Sequence, residues 1–276
     1  MENLISVITV CYNSEKLIKR TIESVLNQSY SNIEYILIDG NSTDNTLNII
    51  KSYEIEARDK VSKYKWISEV DRGIYDAMNK AISISNGKFL NFLNAGDYYC
   101  NSLIIETIIP YLKPNCDLFY GGTINYNDEI QYNRFLKIND IRSFYVKGLM
   151  FCHQATFIRK SIFKSIGVYS EKYSLVADQE WFFRYLSLYG FKNVVSKNIL
   201  IVYYDIGGVS AANRYKVLNE RLILLSQYKN IFSGYPYSIV YNRLYFLKDS
   251  ILNVAKILGF YKLYLKLKHS VFLLLF

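Results

Sequence analysis

Short apolar runs alternate with segments of helical periodicity along the first third of the chain. The apolar runs predict four buried strands, at residues 4–11, 33–39, 65–69 and 88–93. Apolar side chains at three- and four-residue spacing predict three helices, at residues 17–27, 46–53 and 74–85. Strands and helices that alternate with short connections are typical of βαβ units, whose strands run parallel. The pattern therefore predicts an α/β fold with a mostly parallel central sheet flanked by helices.

Acidic residues stand at the ends of three successive predicted strands, namely Asp39, Glu69 with Asp71, and Asp97. In a parallel sheet these ends share one edge, where open α/β proteins bind their ligands. Clustered carboxylates repel one another, so we expect either a cation among them or the hydroxyls and base of a ligand. The alternative is that some acids cap the N-terminus of the next helix. We favour capping for Asp44 and Asp76, and ligand binding for Asp39 and Asp97.

The fourth strand ends in Asn94-Ala95-Gly96-Asp97. These are ordinary turn residues, but a carboxylate beside glycine can also hold a divalent cation and let a phosphate approach closely. No GxGxxG or GxxxxGK[ST] loop follows the first strand, which argues against a dinucleotide fold of the usual pattern and against a P-loop ATPase. Phosphate charge would then require a metal, and this supports Asp97 as its ligand.

Charge is distributed unevenly along the 276 residues. The net charge is +9, and residues 206–276 hold ten basic and two acidic residues, which leaves only +1 for residues 1–205. The 51% apolar content is sufficient for a sizeable core, which excludes global disorder. Four scattered cysteines without a CxxC pair indicate reduced thiols rather than disulfides or a zinc site. The first residues lack the features of a signal peptide, so we expect a cytoplasmic protein.

The basic tail combines an apolar stripe with lysines. From position 244 onwards apolar residues recur at helical spacing, but four lysines interrupt the stretch: Lys256, Lys262, Lys266 and Lys268. A membrane-spanning helix needs about 20 mostly uncharged residues, so we expect an amphipathic helix on an anionic membrane surface. The alternative is packing against the rest of the chain or against a second subunit in a homodimer. No nucleic-acid-binding motif is present, so we expect no nucleic acid partner.

Several motifs occur in an order that carries a family resemblance. They are Ser6-Val7-Ile8-Thr9-Val10-Cys11-Tyr12-Asn13, Ser24-Val25-Leu26-Asn27-Gln28, Ile38-Asp39-Gly40-Asn41-Ser42-Thr43-Asp44 and Trp66-Ile67-Ser68-Glu69-Val70-Asp71-Arg72-Gly73-Ile74-Tyr75-Asp76. They resemble inverting family 2 glycosyltransferases of the GT-A fold, in a branch found in bacterial polysaccharide, capsule and O-antigen clusters. The resemblance covers residues 4–210. It implies a Rossmann-like catalytic domain at residues 1–208, followed by a basic helical region at residues 209–276.

The resemblance also implies roles for individual residues. The donor nucleotide would be bound by Thr9, Tyr12, Asn13, Asp39 and Asp71. Asp97 would ligate Mn²⁺ or Mg²⁺ in the place of the family's DxD motif. This chain departs from that motif, because an asparagine takes the position of the first acid and two residues separate it from Asp97. Magnesium is often held by one or two carboxylates and substrate phosphates, so the departure is tolerable.

Two motifs in the second half, His153-Gln154-Ala155-Thr156 and Ala177-Asp178-Gln179-Glu180, also resemble the family. Asp178 would be the catalytic base that accepts the proton of the attacking hydroxyl, with Glu180 as a helper or structural acid. The alternative is that both acids only cap a helix. His153 would contact the acceptor or the diphosphate, or else be an ordinary core residue. Gly207-Gly208-Val209-Ser210 resembles a loop that closes over the donor, or is a plain turn.

The function implied is transfer of a single sugar. The QxxRW motif of processive synthases does not follow Asp178, and the similar residues 131–135 stand upstream in a predicted hairpin region. We expect a hexosyl- or N-acetylhexosaminyltransferase that moves a sugar from a nucleotide-sugar, by analogy a UDP-sugar, to a glycan or lipid-linked acceptor. It would act in bacterial surface polysaccharide synthesis at the inner face of the cell membrane. The alternative is an inactive protein of the same fold that binds nucleotide-sugars or glycans.

Overall fold

The computed structural model describes residues 3–127, 130–135 and 151–228. The chain divides into two compact units. The first is Met1–Asn139 with Met150–Arg221, and the second is Asp140–Leu149 with Leu222–Phe276. Within the second unit only residues 222–228 are described. The amphipathic helix and the membrane contact predicted for the tail therefore lie outside the described residues, and the domain division at residue 208 stays a prediction.

The strand–helix alternation predicted for the first third of the chain is confirmed. The strands are β1 (Ile5–Cys11), β2 (Ile33–Asp39), β3 (Lys63–Ser68) and β4 (Phe89–Phe92). The helices between them are α1 (Ile18–Leu26), α2 (Thr46–Ser52), α3 (Glu54–Lys60) and α4 (Ile74–Ile84). Every residue of β1, β2 and β4 is buried, as continuous apolar runs in a parallel sheet require. Helix α3 is an addition to the sequence prediction.

The remaining elements carry the second half of the site. The strands are β5 (Tyr98–Tyr99), β6 (Leu118–Tyr126), β7 (Gln131–Arg134), β8 (Thr156–Arg159) and β9 (Val194–Asp205). The helices are α5 (Ile104–Ile108), α6 (Lys160–Ile166), α7 (Ala177–Tyr189), α8 (Val209–Ala212) and α9 (Arg214–Gln227), with 3₁₀ turns at Ile109–Tyr111 and His153–Ala155. Strands β6 and β7 pair antiparallel, as the predicted hairpin region requires.

Nine strands within the described residues form one mixed sheet. Their order is β3-β2-β1-β4-β8-β6-β9-β5, and β7 pairs with β6 at the side of this path. The pairs β3-β2, β2-β1 and β1-β4 are parallel, so the predicted parallel sheet is present in the first half. Strand β8 is antiparallel to both β4 and β6, which makes the whole sheet mixed rather than mostly parallel. The carboxyl ends of β1 to β4 lie at one edge, where the acidic residues gather.

Within residues 3–127, 130–135 and 151–228, no helix has the length and apolar character that crossing a membrane requires.

Candidate active site

Asp39 closes the second strand and fixes the loop that follows it. The residue is fully buried, and its strand neighbours are Cys11 on β1 and Ser68 on β3. The Ser68 hydroxyl donates to Asp39 Oδ2 at 2.6 Å, the Ser42 backbone N–H donates to the same oxygen at 3.1 Å, and the Ser42 hydroxyl donates to Oδ1. Hydrogen bonds to both oxygens stabilise the buried carboxylate. Asp39 thereby holds the loop after β2 against the sheet edge.

Beside Asp39, Tyr12 and Asp71 flank a glycine. A Cβ added to Gly40 would lie 3.1 Å from Asp71 Oδ2 and 3.4 Å from Tyr12 Cδ2. Tyr12 is 61% exposed, so its ring is available to a ligand, whereas Asp71 accepts a 2.6 Å hydrogen bond from Lys80 Nζ. Lys80 also pairs with Glu69 at 2.9 Å. A lysine of α4 therefore neutralises part of the predicted acidic cluster.

The other two residues assigned to the donor nucleotide occupy different environments. Thr9 is fully buried, and its hydroxyl donates to the Leu93 carbonyl at 2.7 Å, so its side chain lies beneath the sheet edge. Asn13 is exposed, adopts a positive φ of 46°, and accepts a 2.9 Å hydrogen bond from the Thr43 backbone N–H. Asn13 therefore links the loop after β1 to the loop after β2.

Asp44 accepts hydrogen bonds from the Thr46 backbone N–H and hydroxyl at the start of α2, in line with the capping expected for it.

The turn Asn94-Ala95-Gly96-Asp97 is held by helix α1. Gly96 has a φ of +105°, a conformation that L side chains rarely adopt. Its N–H donates to the Thr21 hydroxyl at 3.0 Å, and that hydroxyl donates to the Asp97 carbonyl at 2.8 Å. Arg20 donates to the Gly96 carbonyl at 3.0 Å. Three hydrogen bonds between the turn and helix α1 therefore fix the position of Asp97.

Asp97 is buried, with 4% of its surface exposed. Oδ1 accepts a 3.0 Å hydrogen bond from the Asp205 backbone N–H, and Oδ2 accepts one of 2.9 Å from the Gln154 amide. Burial raises the pKa of the Asp97 carboxyl to about 7, although these two hydrogen bonds act in the opposite direction. A nearby cation would favour the ionised form and offset the effect of burial.

The neighbourhood of Asp97 fits a divalent cation whose other ligands come from a substrate. The Asp205 carboxylate, at the end of β9, comes within 3.8 Å of the position that a Cβ on Gly96 would occupy. Two carboxylates beside one turn are hard oxygen donors of the kind that Mg²⁺ and Mn²⁺ prefer. In the part of the chain that the structure describes, no group of three or more His, Cys, Asp or Glu is arranged to hold a metal. Phosphate oxygens or water would have to complete such a site.

The predicted base lies in the first turn of α7 and is held from two sides. Asp178 Oδ2 is 2.9 Å from His153 Nδ1, and Asp178 Oδ1 accepts a 2.8 Å hydrogen bond from the Tyr75 hydroxyl. The side chains of His153 and Asp178 are 16% and 15% exposed. Burial acts to raise the pKa of Asp178, but the hydrogen bonds from His153 and Tyr75 outweigh it and hold that pKa below its usual range. Asp178 is therefore ionised at neutral pH and can accept a proton.

Glu180 occupies a different environment from Asp178, although both belong to the first turn of α7. It is 5% exposed, and its Oε1 pairs with Arg184 Nε at 2.9 Å. Arg184 also donates to the carbonyls of Ile166 and Val168. This geometry fits the structural-acid alternative for Glu180, because its carboxylate orients an arginine that anchors the segment before α7.

His153 and Asp178 line a small pocket, and half of its other lining residues are aromatic: Phe151, Tyr169, Trp181 and Phe182. The pocket therefore holds the Asp178 carboxylate against an aromatic wall.

Sequence reasoning did not assign four residues that the structure brings into the site: Tyr75, Asn94, Gln154 and Asp205. Asp205 could have been found, because it ends a strand and precedes two glycines, the signal already used for Asp39 and Asp97. Gln154 stands next to His153 in a motif that had been singled out. Tyr75 and Asn94 also stand in motifs quoted above, but their partners lie 103 and 59 residues away, so these contacts could not be predicted.

The sequence of this chain matches that of a known protein family. Residues 6–167 match the family Glycosyl transferase family 2, which is more than half of the 276 residues. The chain therefore belongs to glycosyltransferase family 2.

Among its relatives is a "PGL/p-HBAD biosynthesis glycosyltransferase" of Mycobacterium bovis, 27% identical over 210 residues, with 75% of this chain and 79% of the relative covered. Another is "Glycosyltransferase GlyG" of Streptococcus pneumoniae, 27% identical over 168 residues, with 60% of this chain and 52% of the relative covered. These similarities support the assignment of the chain as a glycosyltransferase.

Solved structures share the fold at low sequence identity. The mannosyltransferase PcManGT from Pyrobaculum calidifontis, in complex with GDP-Man and Mn²⁺, has a TM-score of 0.65 at 12% identity and covers 96% of this chain and 83% of its own. S. aureus TarS in complex with UDP-GlcNAc has a TM-score of 0.62 at 19% identity, and the match covers 85% of this chain and 71% of the TarS chain. Against a longer TarS chain the TM-score is 0.61 at 18% identity, with 86% of this chain but only 44% of TarS covered. The predicted GT-A fold is confirmed.

Proposed function

We propose that the protein transfers one sugar from a nucleotide-sugar to a hydroxyl group of an acceptor, with inversion at the anomeric carbon. The observation that carries this proposal is the Asp178 carboxylate, ionised in an aromatic-walled pocket and held on both oxygens by His153 and Tyr75. The exposed Tyr12 ring, next to Gly40 and Asp71 at the carboxyl edge of the sheet, supports donor binding there. Two fold neighbours were solved with UDP-GlcNAc and with GDP-Man, which supports a nucleotide-sugar as the donor.

The proposed reaction is a direct displacement. The acceptor hydroxyl oxygen attacks the anomeric carbon, and the bond from that carbon to the nucleoside diphosphate breaks with its electron pair leaving on the phosphate oxygen. The hydroxyl proton passes to Asp178. Because the pKa of Asp178 lies below its usual range, the carboxylate is a weak base, and proton transfer accompanies bond formation, when the hydroxyl becomes acidic. Attack from the side opposite the leaving group gives inversion.

A divalent cation would assist the departure of the diphosphate. Asp97, with Asp205 beside it, would hold Mn²⁺ or Mg²⁺, and the bound ion would neutralise the charge that develops on the leaving group. The fold neighbour PcManGT was solved with Mn²⁺, which supports this choice of ion. The ionised Asp97 that such a site needs is favoured by the cation itself.

The donor base and the acceptor are proposed by analogy. A UDP-sugar is supported by the TarS complex with UDP-GlcNAc, and that neighbour makes an N-acetylhexosaminyl group a reasonable first choice beside a hexosyl group. A lipid-linked glycan acceptor and a place in bacterial surface polysaccharide synthesis belong to this proposal, and the basic tail supports an acceptor at a membrane surface. Association with the inner face of the cell membrane belongs to the same proposal.

The test separates donor binding from chemistry. Thermal shift is measured with UDP, GDP, dTDP and CMP, each with and without Mn²⁺, and release of the nucleoside diphosphate from the matching sugar donor is then followed with a bacterial lipid extract as acceptor. Asp178→Asn is expected to retain the nucleotide-dependent shift and to lose transfer by about 10²- to 10⁴-fold. Glu180→Gln, in the same helical turn, is expected to retain transfer within about tenfold.

Other outcomes separate the alternatives. Transfer that persists in Asp178→Asn would show that another group is the base. Nucleotide binding without transfer in the wild-type protein, across all donors, would favour the alternative of an inactive nucleotide-sugar-binding protein. Stabilisation that is independent of Mn²⁺ would contradict the role proposed for Asp97.

A further inference from the structure

Four polar side chains form a continuous series of hydrogen bonds that passes through the proposed base. Asn94 Nδ2 is 3.2 Å from His153 Nε2, His153 Nδ1 is 2.9 Å from Asp178 Oδ2, and the Tyr75 hydroxyl is 2.8 Å from Asp178 Oδ1. Asn94 belongs to the turn that carries Asp97, and Asp178 lies in the first turn of α7. The series therefore connects the Asp97 turn with the proposed base through a single imidazole ring.

The Asn94 amide contacts Nε2, the ring nitrogen that faces away from Asp178. As the amide is oriented, its nitrogen donates to Nε2, so Nε2 has no hydrogen and Nδ1 donates to Asp178. The amide oxygen of Asn94 is buried and has no hydrogen-bond partner among the described residues. Rotation of the amide by half a turn would present this oxygen to an N–H at Nε2 and so accommodate a doubly protonated ring. An asparagine can thus hydrogen-bond to the neutral ring and to the imidazolium, and in both forms the Nδ1–H of His153 is directed at Asp178.

We propose that Asn94 and His153 are positioning residues for Asp178, which keep the Nδ1–H of His153 on one oxygen of the carboxylate while Tyr75 holds the other. The inference rests on the proposed function, because it takes Asp178 as the base. It also gives a reason for the amide at position 94. A carboxylate there would accept a hydrogen bond from Nε2 and hold only the imidazolium, whose positive charge would weaken the neighbouring Asp178 as a base.

Two substitutions at position 153 test the two ends of the ring separately. An asparagine side chain places its N–H near the position of Nδ1, whereas the longer glutamine places its N–H near Nε2. His153→Gln is expected to lower kcat by about a hundredfold with donor KM unchanged, because the carboxylate is left free to turn. His153→Asn is expected to retain at least about tenfold more kcat than His153→Gln, because it still donates to Asp178. Equal losses in the two variants would overturn the inference.

The tautomer can be observed without any transfer assay. The chain has only two histidines, His153 and His269, so nitrogen NMR of the ring is assigned by comparison with His269→Gln. The expected signature of the neutral His153 ring is a hydrogen on Nδ1 and a bare Nε2. In Asn94→Asp the ring is expected to give the imidazolium signature, together with a lowered kcat. A hydrogen on Nε2 of the neutral wild-type ring would overturn the proposal whether or not the variants fold.

The failure of this inference differs from the failure of the proposed function. If Asp178→Asn retains transfer, the base assignment is wrong, and the inference falls with it. If Asp178→Asn is inactive while both His153 variants lose kcat equally, only the inference is wrong. If Asn94→Asp changes the metal requirement and the donor KM but leaves kcat and the ring signature unchanged, Asn94 acts on the donor and not on the base, which also overturns the inference.

Discussion

At the scale of single residues, the edge of the sheet proposed to bind the donor combines a buried acid with an exposed aromatic ring. Asp39 is fully buried, and both oxygens of its carboxylate accept hydrogen bonds, whereas 61% of Tyr12 is exposed. A buried, fully bonded carboxylate contributes mainly by shaping the loop, because little of it can meet a ligand. The exposed ring next to Gly40 has a free face on which the nucleobase of the donor can stack. Most of the side-chain contribution to nucleobase binding is therefore expected from Tyr12.

Replacement of Tyr12 tests this expectation. Tyr12→Ala is expected to raise the dissociation constant for the nucleoside diphosphate by about tenfold or more, since stacking of a base on an aromatic ring contributes about 1–3 kcal/mol. Tyr12→Phe retains the ring and should bind as the wild type does. The dissociation constants are measured by titration calorimetry, and the thermal stability of all three proteins should be similar because the side chain is exposed. Equal affinity in Tyr12→Ala would show that the base binds elsewhere.

At the scale of elements, one buried acid joins the predicted strands. Glu34 on β2 is fully buried and accepts hydrogen bonds from the Ser6 hydroxyl of β1 at 2.6 Å and from Lys65 Nζ of β3 at 2.7 Å. It also accepts a 2.6 Å hydrogen bond from the backbone N–H of Asn86, just before β4. A buried charge is tolerated when it is paired and fully hydrogen-bonded. Glu34 thus links all four strands that place Asp39 and Asp97 at one edge.

The pH dependence of stability tests this link. Burial acts to raise the pKa of Glu34, but Lys65, Ser6 and Asn86 outweigh it and lower that pKa to about 2. A carboxyl whose pKa is lower in the folded state stabilises the protein above its unfolded pKa and loses this contribution as the pH falls towards 2. Glu34→Gln is therefore expected to lower the free energy of unfolding by up to about 3 kcal/mol at neutral pH, and by progressively less below about pH 4.5.

The measurement for Glu34→Gln is urea unfolding at a series of pH values. Glu56→Gln is the matched control, because it makes the same chemical change at an exposed position of α3 and is expected to alter stability by less than about 0.5 kcal/mol. A loss of stability in Glu34→Gln that does not vary between pH 7 and pH 3 would contradict the ionic role of Glu34. The loss would then come from packing alone.

The same elements show why only part of the fold could be predicted. Strands β1 to β4 are recognisable because their apolar runs and the helices between them are local patterns. Strand β8 has four residues and pairs antiparallel with both β4 and β6, so its place depends on partners distant in sequence. Strand β6 shifts its register against β9 at Gly122, which no periodicity would indicate. Pairing partners of this kind are set by the tertiary fold.

The candidate site divides in the same way. Asp39, Asp97 and Asp178 were selected by strand ends and by motifs, which are visible in the sequence. The contacts of Asp178 with Tyr75 and His153 join residues 103 and 25 positions away, and local patterns carry no record of them. The sequence could therefore name the acids of the site and His153, but not the contacts that set the ionisation of Asp178.

At the scale of the whole molecule, the charge distribution predicts where the enzyme acts. Of the net charge of +9, residues 206–276 account for +8. An acceptor in a membrane would be reached most readily by an enzyme that is held at the membrane surface. Each lysine or arginine near an anionic surface contributes about 1 kcal/mol of attraction, so a group of them can hold a protein there.

Vesicle binding of the full chain tests this prediction. The protein is expected to sediment with vesicles that contain anionic phosphatidylglycerol, to sediment poorly with phosphatidylcholine alone, and to be released by high salt. Replacement of four tail lysines by glutamine is expected to weaken vesicle binding by about a hundredfold. The four are Lys256, Lys262, Lys266 and Lys268. The control variant makes the same change in net charge at four exposed lysines of the first unit, which are Lys16, Lys19, Lys51 and Lys60. Equal weakening of vesicle binding in both variants would indicate attraction by net charge alone. Stronger retention of the protein on DNA than on vesicles would indicate that the tail binds nucleic acid and not a membrane.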